Sequence, residues 1–476
     1  MSTAESTSSN EAWRWDATTI AARVRSGEVS CRDVTTSVLD RIDMVNPRLN
    51  AIVDVMAAEA LVAATAADEA AQRGDVLGPL HGVPVTVKVN VDLAGRPTTG
   101  GIASNADHVA AEDAPVVANL RRAGAVIVGR TNTPAFSLRW FTDNDVHGRT
   151  LNPWSDDVTP GGSSGGAASA LAAGMGVIAH GNDYGGSIRH PAWACGVVGL
   201  RPTVGRVPSY NASAVAERVI SNQLMSVQGP LARTVHDAGT ALRVMAVGDV
   251  RDPTWNAVPL EMERRASALR VGVFRDPGHD IADPSVVAAI DQAAGWLTEA
   301  GCSVEESVPP RYDEAVGLWA SLVFDDLRRG GLPAIRATGD AAVQRTVELY
   351  LATVDELDRD GYLDALTRRL TIARDWSMVL DRFDVLLTAT SWERQFPVDD
   401  DQRSAERTQE IIRAQGPLLS TAMLGLPGLA VPVGVHDGLP TGVHLIANRY
   451  REDLLLAAGT MIESRSGYDV LDCVPQ

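Results

Sequence analysis

The chain has 476 residues, of which 45% are hydrophobic and 21% are charged, so it is long enough to bury a large core. Its formal net charge of −18 argues against nucleic acid or an anionic membrane surface as a partner, because both would repel it. No apolar stretch reaches about 18 residues, the length that a membrane span requires. The polar N-terminal residues lack an apolar signal segment, so we expect a cytoplasmic protein.

The first part of the chain is polar and then helical. Residues 1–10 are rich in serine and threonine, which predicts a disordered N-terminus. Residues 11–75 predict a helical segment packed on the core. Within it, Ser30 is placed to cap a helix that stops at Pro47, and residues 56–73 have strong helix propensity.

From Gly78 onward, short apolar runs alternate with helical ones. VPVTVKV is followed by the helical APVVANLRRAG and then by the apolar AVIVGRT, and the same order returns in the second half of the chain. This alternation predicts one α/β domain over residues 76–470, with a sheet covered by helices. Residues 310–382 are helical and rich in charge, and we expect this insertion to roof a substrate pocket.

Cysteines and acidic runs, which often mark metal or disulfide sites, carry no such signal here. The four cysteines form no CxxC pair, and we interpret them as reduced core residues. They are Cys31, Cys195, Cys302 and Cys473. The acidic run at 399–401 has no ladder of ligands after it, and we interpret it as a solvated loop.

Lys88 is the only lysine of the chain, and the other 41 basic residues are arginines. It lies among Val85, Val87 and Val89, whose alternation predicts a half-buried strand. A desolvated lysine can lose its proton whereas arginine cannot, so Lys88 is a candidate base. A structural ion pair explains a buried lysine equally well, and both interpretations stay open on this pattern alone.

Two serines flanked by glycines lie further along, in GGSSGG from Gly161 and in GGS ending at Ser187. Glycines beside a hydroxyl allow tight turns and let backbone N–H groups converge on one atom, as an oxyanion hole requires. A flexible linker is disfavoured, because the first cluster runs directly into a helix of small residues. A phosphate-binding loop is disfavoured too, since Ala167 stands where such a loop needs lysine.

Gly161, Ser163 and Gly165 also match G-x-S-x-G, the nucleophile elbow of serine esterases. His436 or His444 would then supply the base. An elbow follows a buried strand, however, and the preceding WSDDVTP is polar and ends in proline. We therefore interpret this match as accidental.

Together these motifs resemble those of the amidase signature family of serine hydrolases. GVPVTVKVN, GGSSGG, GNDYGGSIRHPA and GVVGLRPT carry the resemblance, in that order. RTNTPAF, LNPWS, GPLARTVHDAG and LGLPGLAVPVGVHDGLPTGVHLIA extend it over roughly residues 15–465. The resemblance implies a single large α/β domain whose central twisted, mostly mixed sheet has helices on both faces.

The resemblance also implies a Ser, cis-Ser, Lys triad. It matches Ser187 to the nucleophile, Lys88 to the base, and Ser163 to the bridging serine, whose preceding peptide bond is typically cis. The implied oxyanion hole is formed by the backbone N–H groups of Tyr184, Gly185, Gly186 and Ser187. The residues expected to support the site are Gly162, Ser164, Asp183 and Arg189, the last two as an ion pair. Such a mechanism needs no metal or other cofactor.

The aromatic residues near these motifs in sequence predict an aromatic-lined pocket for an apolar or aryl acyl group, although buried packing explains them as well. They are Trp140, Phe141 and Trp193. The chain departs from the usual family pattern at Val89, Asn182 and His444. The residues that we interpret as structural despite lying near the motif are His180, His190 and Cys195.

The resemblance favours hydrolysis of a carboxylic amide through an acyl-enzyme. Carbamate (urethane), aryl-amide or ester hydrolysis by the same triad is the alternative, and the expected partner is a small molecule of one of these classes. An A-type amidotransferase component that works with a partner on charged tRNA is disfavoured by the net charge of −18. A non-catalytic relative is disfavoured because all three triad residues are retained. The oligomeric state stays open, with a homodimer as the commonest arrangement.

Overall fold

The computed structural model describes residues 9–260, 268–278 and 280–475. The predicted disordered segment 1–10 lies outside these ranges except for Ser9 and Asn10, which begin the 3-10 helix Ser9–Arg14. The strands are β1 Ile52–Val55, β2 Pro84–Lys88, β3 Val126–Thr131, β4 Ile178–Asp183, β5 Val198–Arg201, β6 Val227–Ala232, β7 Arg270–Val273, β8 Ser303–Glu306, β9 Val385–Ala389, β10 Gly428–His436 and β11 Leu439–Ile446.

Within the described ranges these strands form one 11-stranded sheet, in the order β1-β3-β2-β4-β6-β5-β10-β11-β9-β7-β8. The group β3-β2-β4 and the group β9-β7-β8 are parallel, and the other neighbours are antiparallel. The predicted single α/β domain with a large mixed sheet is thereby confirmed. The short strand β1 was not predicted. It lies within the segment 11–75 and pairs with β3 at the edge of the sheet.

Helices flank the sheet and supply the remaining core. They are α1 Ala17–Arg25, α2 Cys31–Leu49, α3 Ala57–Arg73, α4 Pro115–Arg122, α5 Gly165–Ala172, α6 Arg189–Cys195, α7 Ile220–Met225, α8 Val235–Met245, α9 Pro284–Glu299, α10 Tyr312–Asp326, α11 Leu332–Thr338, α12 Ala341–Leu351, α13 Arg359–Arg382, α14 Ala405–Ala414, α15 Gly416–Leu424, α16 Glu452–Ser466 and α17 Val470–Cys473. A π-helical turn, Leu327–Gly331, joins α10 to α11. None of the helices in these ranges has both the length and the apolarity needed to cross a membrane.

The local predictions differ from the structure at four places. Cys473 is exposed, whereas the other three cysteines are buried as expected of core residues. Helix α2 runs past Pro47 to Leu49 and ends where Asn50 adopts the left-handed φ of 49°. Strand β2 is buried along its whole length rather than on one face, because it lies between β3 and β4. Asp400 and Asp401 are buried beside arginines, so the acidic run is not a solvated loop.

The sheet brings two motifs to one edge. Strands β2 and β4 are parallel neighbours, so their C-terminal ends lie side by side. Lys88 ends β2, and Asp183 ends β4 just before the turn that leads to Ser187. Side chains that lie 95 residues apart in sequence therefore face one region, the carboxyl edge where α/β proteins place their ligands.

Candidate active site

Lys88 lies at the centre of a small polar cluster. Its Nζ is 2.7 Å from Ser163 Oγ, 3.1 Å from Ser164 Oγ and 2.8 Å from Asn182 Oδ1. All three partners are neutral, and within the described ranges Lys88 forms no ion pair. The interpretation of Lys88 as half of a structural ion pair is therefore not supported.

The surroundings of Lys88 favour its neutral form. The side chain is completely buried, and this desolvation lowers the pKa of the amine well below its ordinary 10.5. The negative charge of Asp183 opposes this shift and raises the pKa, but by less. A lysine amine with a lowered pKa is able to accept a proton from a neighbouring hydroxyl at moderate pH.

The GGSSGG segment packs closely against neighbouring backbone and leads into α5. The peptide bond between Gly162 and Ser163 is cis. A Cβ at Gly162 would lie 2.6 Å from the Arg139 carbonyl oxygen, so only glycine fits there. The Ser164 N–H donates to the Ser187 carbonyl at 3.2 Å, which ties this segment to the second glycine turn.

Asp183 organises the turn that carries Ser187. Its carboxylate accepts hydrogen bonds from the N–H groups of Gly186, at 2.9 Å, and Ile188, at 3.2 Å. It also pairs with the buried guanidinium groups of Arg189 and Arg201 at 3.0 Å. Burial alone would raise the pKa of Asp183, but the two arginines outweigh it and hold that pKa well below its usual range. The carboxylate is thus fixed in its charged form.

The position of Asp183 corrects one prediction about the oxyanion hole. The Gly186 N–H is already used by Asp183 Oδ1 and is not available to a substrate. In the part of the chain that the structure describes, the N–H groups of Tyr184, Gly185 and Ser187 donate to no protein acceptor. Three of the four expected donors therefore remain free.

A cavity of about 510 Å³ opens in front of these groups. Ser163, Asn182, Tyr184 and Ser187 all line it, so the structure brings together the two serines and the cluster around Lys88. Apolar side chains form part of its wall, namely Ile102, Phe136, Leu138, Val323 and Leu327. Polar groups form another part, namely Thr98, Asn105, His108, Asn211, Ser213 and Asn222. A pocket of this size and mixed lining suits a small organic molecule.

The predicted helical insertion at 310–382 contributes to this wall. The cavity is lined by Val323 and Asp326 from the end of α10 and by Leu327 and Gly331 from the π-helical turn. Asp326 is buried there and accepts hydrogen bonds from Ser221 and Tyr362. The insertion is thus attached to the rest of the domain next to the cavity.

The three aromatic residues expected in the pocket occupy different places. Trp140 lies in a narrow cleft that adjoins Ser187, and its indole N–H donates to the Gly185 carbonyl at 3.0 Å. Phe141 stacks on Phe396, and Trp193 stacks on His190, so neither lines the cavity. Trp140 does not line the cavity either, so the structure brings none of the three residues to it. Neighbours in sequence need not face the same side of a chain.

The residues interpreted as structural behave as such. His180 is buried and within 2.8 Å of Gln228, and burial lowers its pKa to about 4. Burial likewise lowers the pKa of His190 to about 3. His444, one of the departures from the family pattern, contacts Arg189 behind the turn. Cys195 is buried, and desolvation raises the pKa of its thiol.

Sequence reasoning missed two groups at this site. Asn182, noted only as a departure, bonds to Lys88, and its amide nitrogen donates to Asn90 Oδ1 at 3.0 Å. Arg201 lies 18 residues beyond Asp183 and donates to both the carboxylate and the backbone carbonyl of Asp183. The place of Asn90 two residues after Lys88 was the one available signal. Arg201 lies within GVVGLRPT, one of the motifs that carry the family resemblance, but nothing in that motif indicates its contact with Asp183.

Comparison with known proteins extends these observations. A family model described as Amidase matches residues 33–456. Indoleacetamide hydrolase of Bradyrhizobium diazoefficiens is 44% identical over 456 residues, covering 96% of this chain and 87% of the relative. A glutamyl-tRNA(Gln) amidotransferase subunit of Moorella thermoacetica is 34% identical, covering 93% and 94% of the two chains.

Solved structures show the same likeness. A bacterial aryl acylamidase that belongs to the amidase signature enzymes has a TM-score of 0.84 at 28% identity, with 97% of this chain and 98% of that chain covered. A 6-aminohexanoate cyclic dimer hydrolase has a TM-score of 0.80 at 26% identity, with 96% and 98% covered.

Proposed function

Because the chain belongs to the amidase signature family and is a hydrolase of carbon–nitrogen bonds other than peptide bonds, we propose that Lys88, Ser163 and Ser187 form its catalytic triad. The observation that carries this proposal is the 2.7 Å contact between the buried Lys88 amine and Ser163 Oγ. Ser163 and Ser187 line one cavity, which supports a relay from Ser187 through Ser163 to Lys88.

In the proposed first half-reaction, Ser187 Oγ attacks the amide carbonyl. Its proton passes to Ser163 as Ser163 gives its own proton to neutral Lys88. The carbonyl oxygen becomes an oxyanion, which the free N–H groups of Tyr184, Gly185 and Ser187 stabilise. Collapse of this intermediate breaks the carbon–nitrogen bond, and the proton on Lys88 returns through Ser163 to the leaving nitrogen.

The second half-reaction uses the same groups, with water as the nucleophile and Ser187 as the leaving group. Water attacks the acyl-enzyme and gives a proton through Ser163 to Lys88. The second tetrahedral intermediate then collapses, which breaks the bond to Ser187 Oγ and releases the carboxylic acid, and the proton on Lys88 returns through Ser163 to Ser187. A neutral Lys88 is required at the start of each half-reaction, which is the state that its burial favours.

We propose a small amide with an aryl group on its acyl side as the substrate class. The support is the 44% identity to an indoleacetamide hydrolase over 96% of this chain. The apolar part of the cavity wall, with Phe136, Leu138 and Leu327, is suited to such a group. Carbamates and esters with the same acyl or aryl group are the alternative substrates, because the same attack cleaves them.

Labelling with a fluorophosphonate or a sulfonyl fluoride, followed by peptide mass spectrometry, tests the triad. We expect the label on Ser187 alone. Ser187→Ala is expected to lose label and turnover while its unfolding midpoint stays near that of the wild type. Ser226→Ala, which changes another serine of the cavity wall, is the control and keeps the label on Ser187. A label on Ser163 would instead support the nucleophile elbow.

A panel of amides tests the substrate class. Burying an aryl group contributes about 1.5–3 kcal/mol, so kcat/KM for indoleacetamide should exceed that for acetamide by about 10–100-fold. The matching aryl ester and carbamate belong in the same panel. Equal kcat/KM values for acetamide and indoleacetamide would rule out an aryl subsite.

A further inference from the structure

Two tryptophans bind successive carbonyl groups of the turn before Ser187. The Trp319 indole N–H donates to the Tyr184 carbonyl at 3.0 Å, and the Trp140 indole N–H donates to the Gly185 carbonyl at 3.0 Å. The two indoles are stacked, with ring centroids 6.4 Å apart, and both are 5% exposed. They therefore hold two neighbouring peptide planes of one turn in the same way.

The two planes differ in what their N–H groups do. In a trans peptide the carbonyl and the N–H of the next residue point in opposite directions, so fixing one fixes the other. Trp319 holds the carbonyl of the plane whose N–H belongs to Gly185, which is free. Trp140 holds the carbonyl of the plane whose N–H belongs to Gly186, which Asp183 already accepts.

The contacts of Trp319 suit it to set the direction in which the Gly185 N–H points. It lies on α10, the helix whose C-terminal end lines the cavity. Its ring packs directly on the turn, since a Cβ added at Gly185 would lie 2.4 Å from that ring. The side chain of Tyr184 is held as well, because its hydroxyl is 2.5 Å from Ser221 Oγ. The Tyr184–Gly185 plane thus depends on Trp319 for its rotation.

We propose that Trp319 is a positioning residue that aims the Gly185 N–H at the oxyanion of the tetrahedral intermediate. This inference rests on the proposed function, because it assumes attack by Ser187. It assigns to the insertion at 310–382 a part in the chemistry of the turn as well as in the cavity wall. Trp140, by contrast, holds a plane that Asp183 fixes independently.

The experiment compares Trp319→Phe with Trp140→Phe, which is the matched control. Both changes remove one buried indole N–H from the same stack. The readouts are kcat and KM for an aryl amide, the Ki of the neutral alcohol that corresponds to the product acid, and the Ki of a trifluoromethyl ketone analogue, which forms an oxyanion on Ser187. Losing one oxyanion donor costs about 10²–10³-fold in kcat, and a misaligned donor costs part of that.

We expect Trp319→Phe to lower kcat by about 10–100-fold and to weaken the trifluoromethyl ketone by the same factor. KM and the Ki of the neutral alcohol should stay within about twofold, because neither the ground-state amide nor the alcohol carries an anionic oxygen. Trp140→Phe should change all four quantities by about threefold or less. Equal losses in the two variants, or an unchanged Ki of the ketone in Trp319→Phe, would overturn the inference.

Trp319→His keeps the test decisive if Trp319→Phe fails to fold. A flipped imidazole places its Nε2 where the indole has Nε1, so the donor returns without the benzene ring. We expect this variant to bind the ketone within about threefold of wild type, and a loss of about tenfold or more would contradict the inference. If the wild type hydrolyses no amide and takes no label on Ser187, the proposed function itself is overturned. This result differs from a failure of the inference about Trp319 alone, in which the wild type stays active.

Discussion

At the scale of single residues, the site depends on the difference between lysine and arginine. The chain uses arginine at its other 41 basic positions and places its one lysine in a fully buried strand. Lys88 contacts two hydroxyls and an amide oxygen, and burial lowers its pKa well below 10.5. Arginine would stay charged in the same place. The identity of this residue therefore controls whether a neutral base exists.

The change Lys88→Arg isolates that property. It keeps a positive charge and most of the side-chain length but offers no neutral form. We expect folded protein whose kcat for amides is lower by about 10²–10⁴-fold, with a smaller loss for activated esters, whose leaving group needs no proton. Thermal unfolding is the control for folding. Amide turnover within about threefold of wild type would contradict the role of Lys88 as base.

The pH profile of the wild type follows from the same pKa. The amine is neutral above its pKa, so activity should be lost as the pH falls through that value and gained as the pH rises. Because desolvation lowers the pKa, this acid limb is expected below 10.5. Measuring kcat/KM against pH locates it. A limb at the ordinary pKa of lysine would show that burial does not tune Lys88.

At the scale of elements, buried ion pairs attach distant segments to the cavity. Arg139, next to Trp140, forms two hydrogen bonds of 2.8 Å with Asp401, and its side chain is fully buried. Thr346 on α12 also donates to Asp401 at 3.0 Å. The loop after β3, helix α12 and the segment before α14 therefore meet at one carboxylate. The acidic run at 399–401 is structural, which its sequence pattern did not indicate.

Two aspartates of this run make a matched pair for mutation. Asp401→Asn breaks a buried ion pair and leaves Arg139 with only the partly exposed Asp399 as a charge partner, which costs about 3–5 kcal/mol. Asp399→Asn removes the other negative charge that pairs with Arg139. Because the Asp399 side chain is 41% exposed, we expect this change to lower the free energy of unfolding by less than about 1 kcal/mol. Denaturant unfolding measures both. Equal losses would show that burial does not decide the contribution of these pairs.

At the scale of the whole molecule, acidic residues from three parts of the chain meet beside α8. Glu463 on α16 accepts the Val235 N–H at 2.8 Å, and Asp237 accepts the Ala17 N–H at 2.8 Å. Burial, together with the charges of Asp237 and Asp16, raises the pKa of Glu463 to about 7. Glu463 thus joins α16 to α8, and Asp237 joins α8 to the N-terminal region. Of the two, Glu463 has the pKa of about 7 and is therefore more easily protonated in the folded chain than in the unfolded chain.

The stability of the fold should depend on pH through Glu463. Between the unfolded pKa of 4.5 and the folded value of about 7, the folded state binds more protons, so stability falls as pH rises. Glu463→Gln keeps an acceptor for Val235 and removes the charge. We expect it to raise the free energy of unfolding by about 1–2 kcal/mol at pH 8 and to change it little near pH 4.5.

The control for this prediction is Glu69→Gln, which changes an exposed glutamate of α3. Denaturant unfolding at the two pH values measures both variants. Because Glu69 is exposed, its variant should have a free energy of unfolding within about 0.5 kcal/mol of that of the wild type. A gain for Glu463→Gln that is the same at pH 4.5 and pH 8 would contradict the proposed effect of charge.

Much of the fold and of the candidate site follows from patterns that are short in sequence. Alternating apolar and helical runs predicted the α/β domain, because each element must bury one face. The glycine-flanked serines and the unique lysine marked Ser163, Ser187 and Lys88 as candidates, and the resemblance to the amidase signature family implied their roles. These inferences need no knowledge of which segments meet.

The tertiary structure decided what depends on contacts between distant segments. Trp319 reaches a turn that is 135 residues away in sequence, and Arg139 reaches Asp401 over 262 residues. Phe141 and Trp193 lie near the motif in sequence but face other parts of the core. The Gly186 N–H is committed to Asp183 only because the turn closes back on that carboxylate. Residue types set which chemistry is available, whereas packing sets the direction in which each donor points, and a sequence carries no local record of direction.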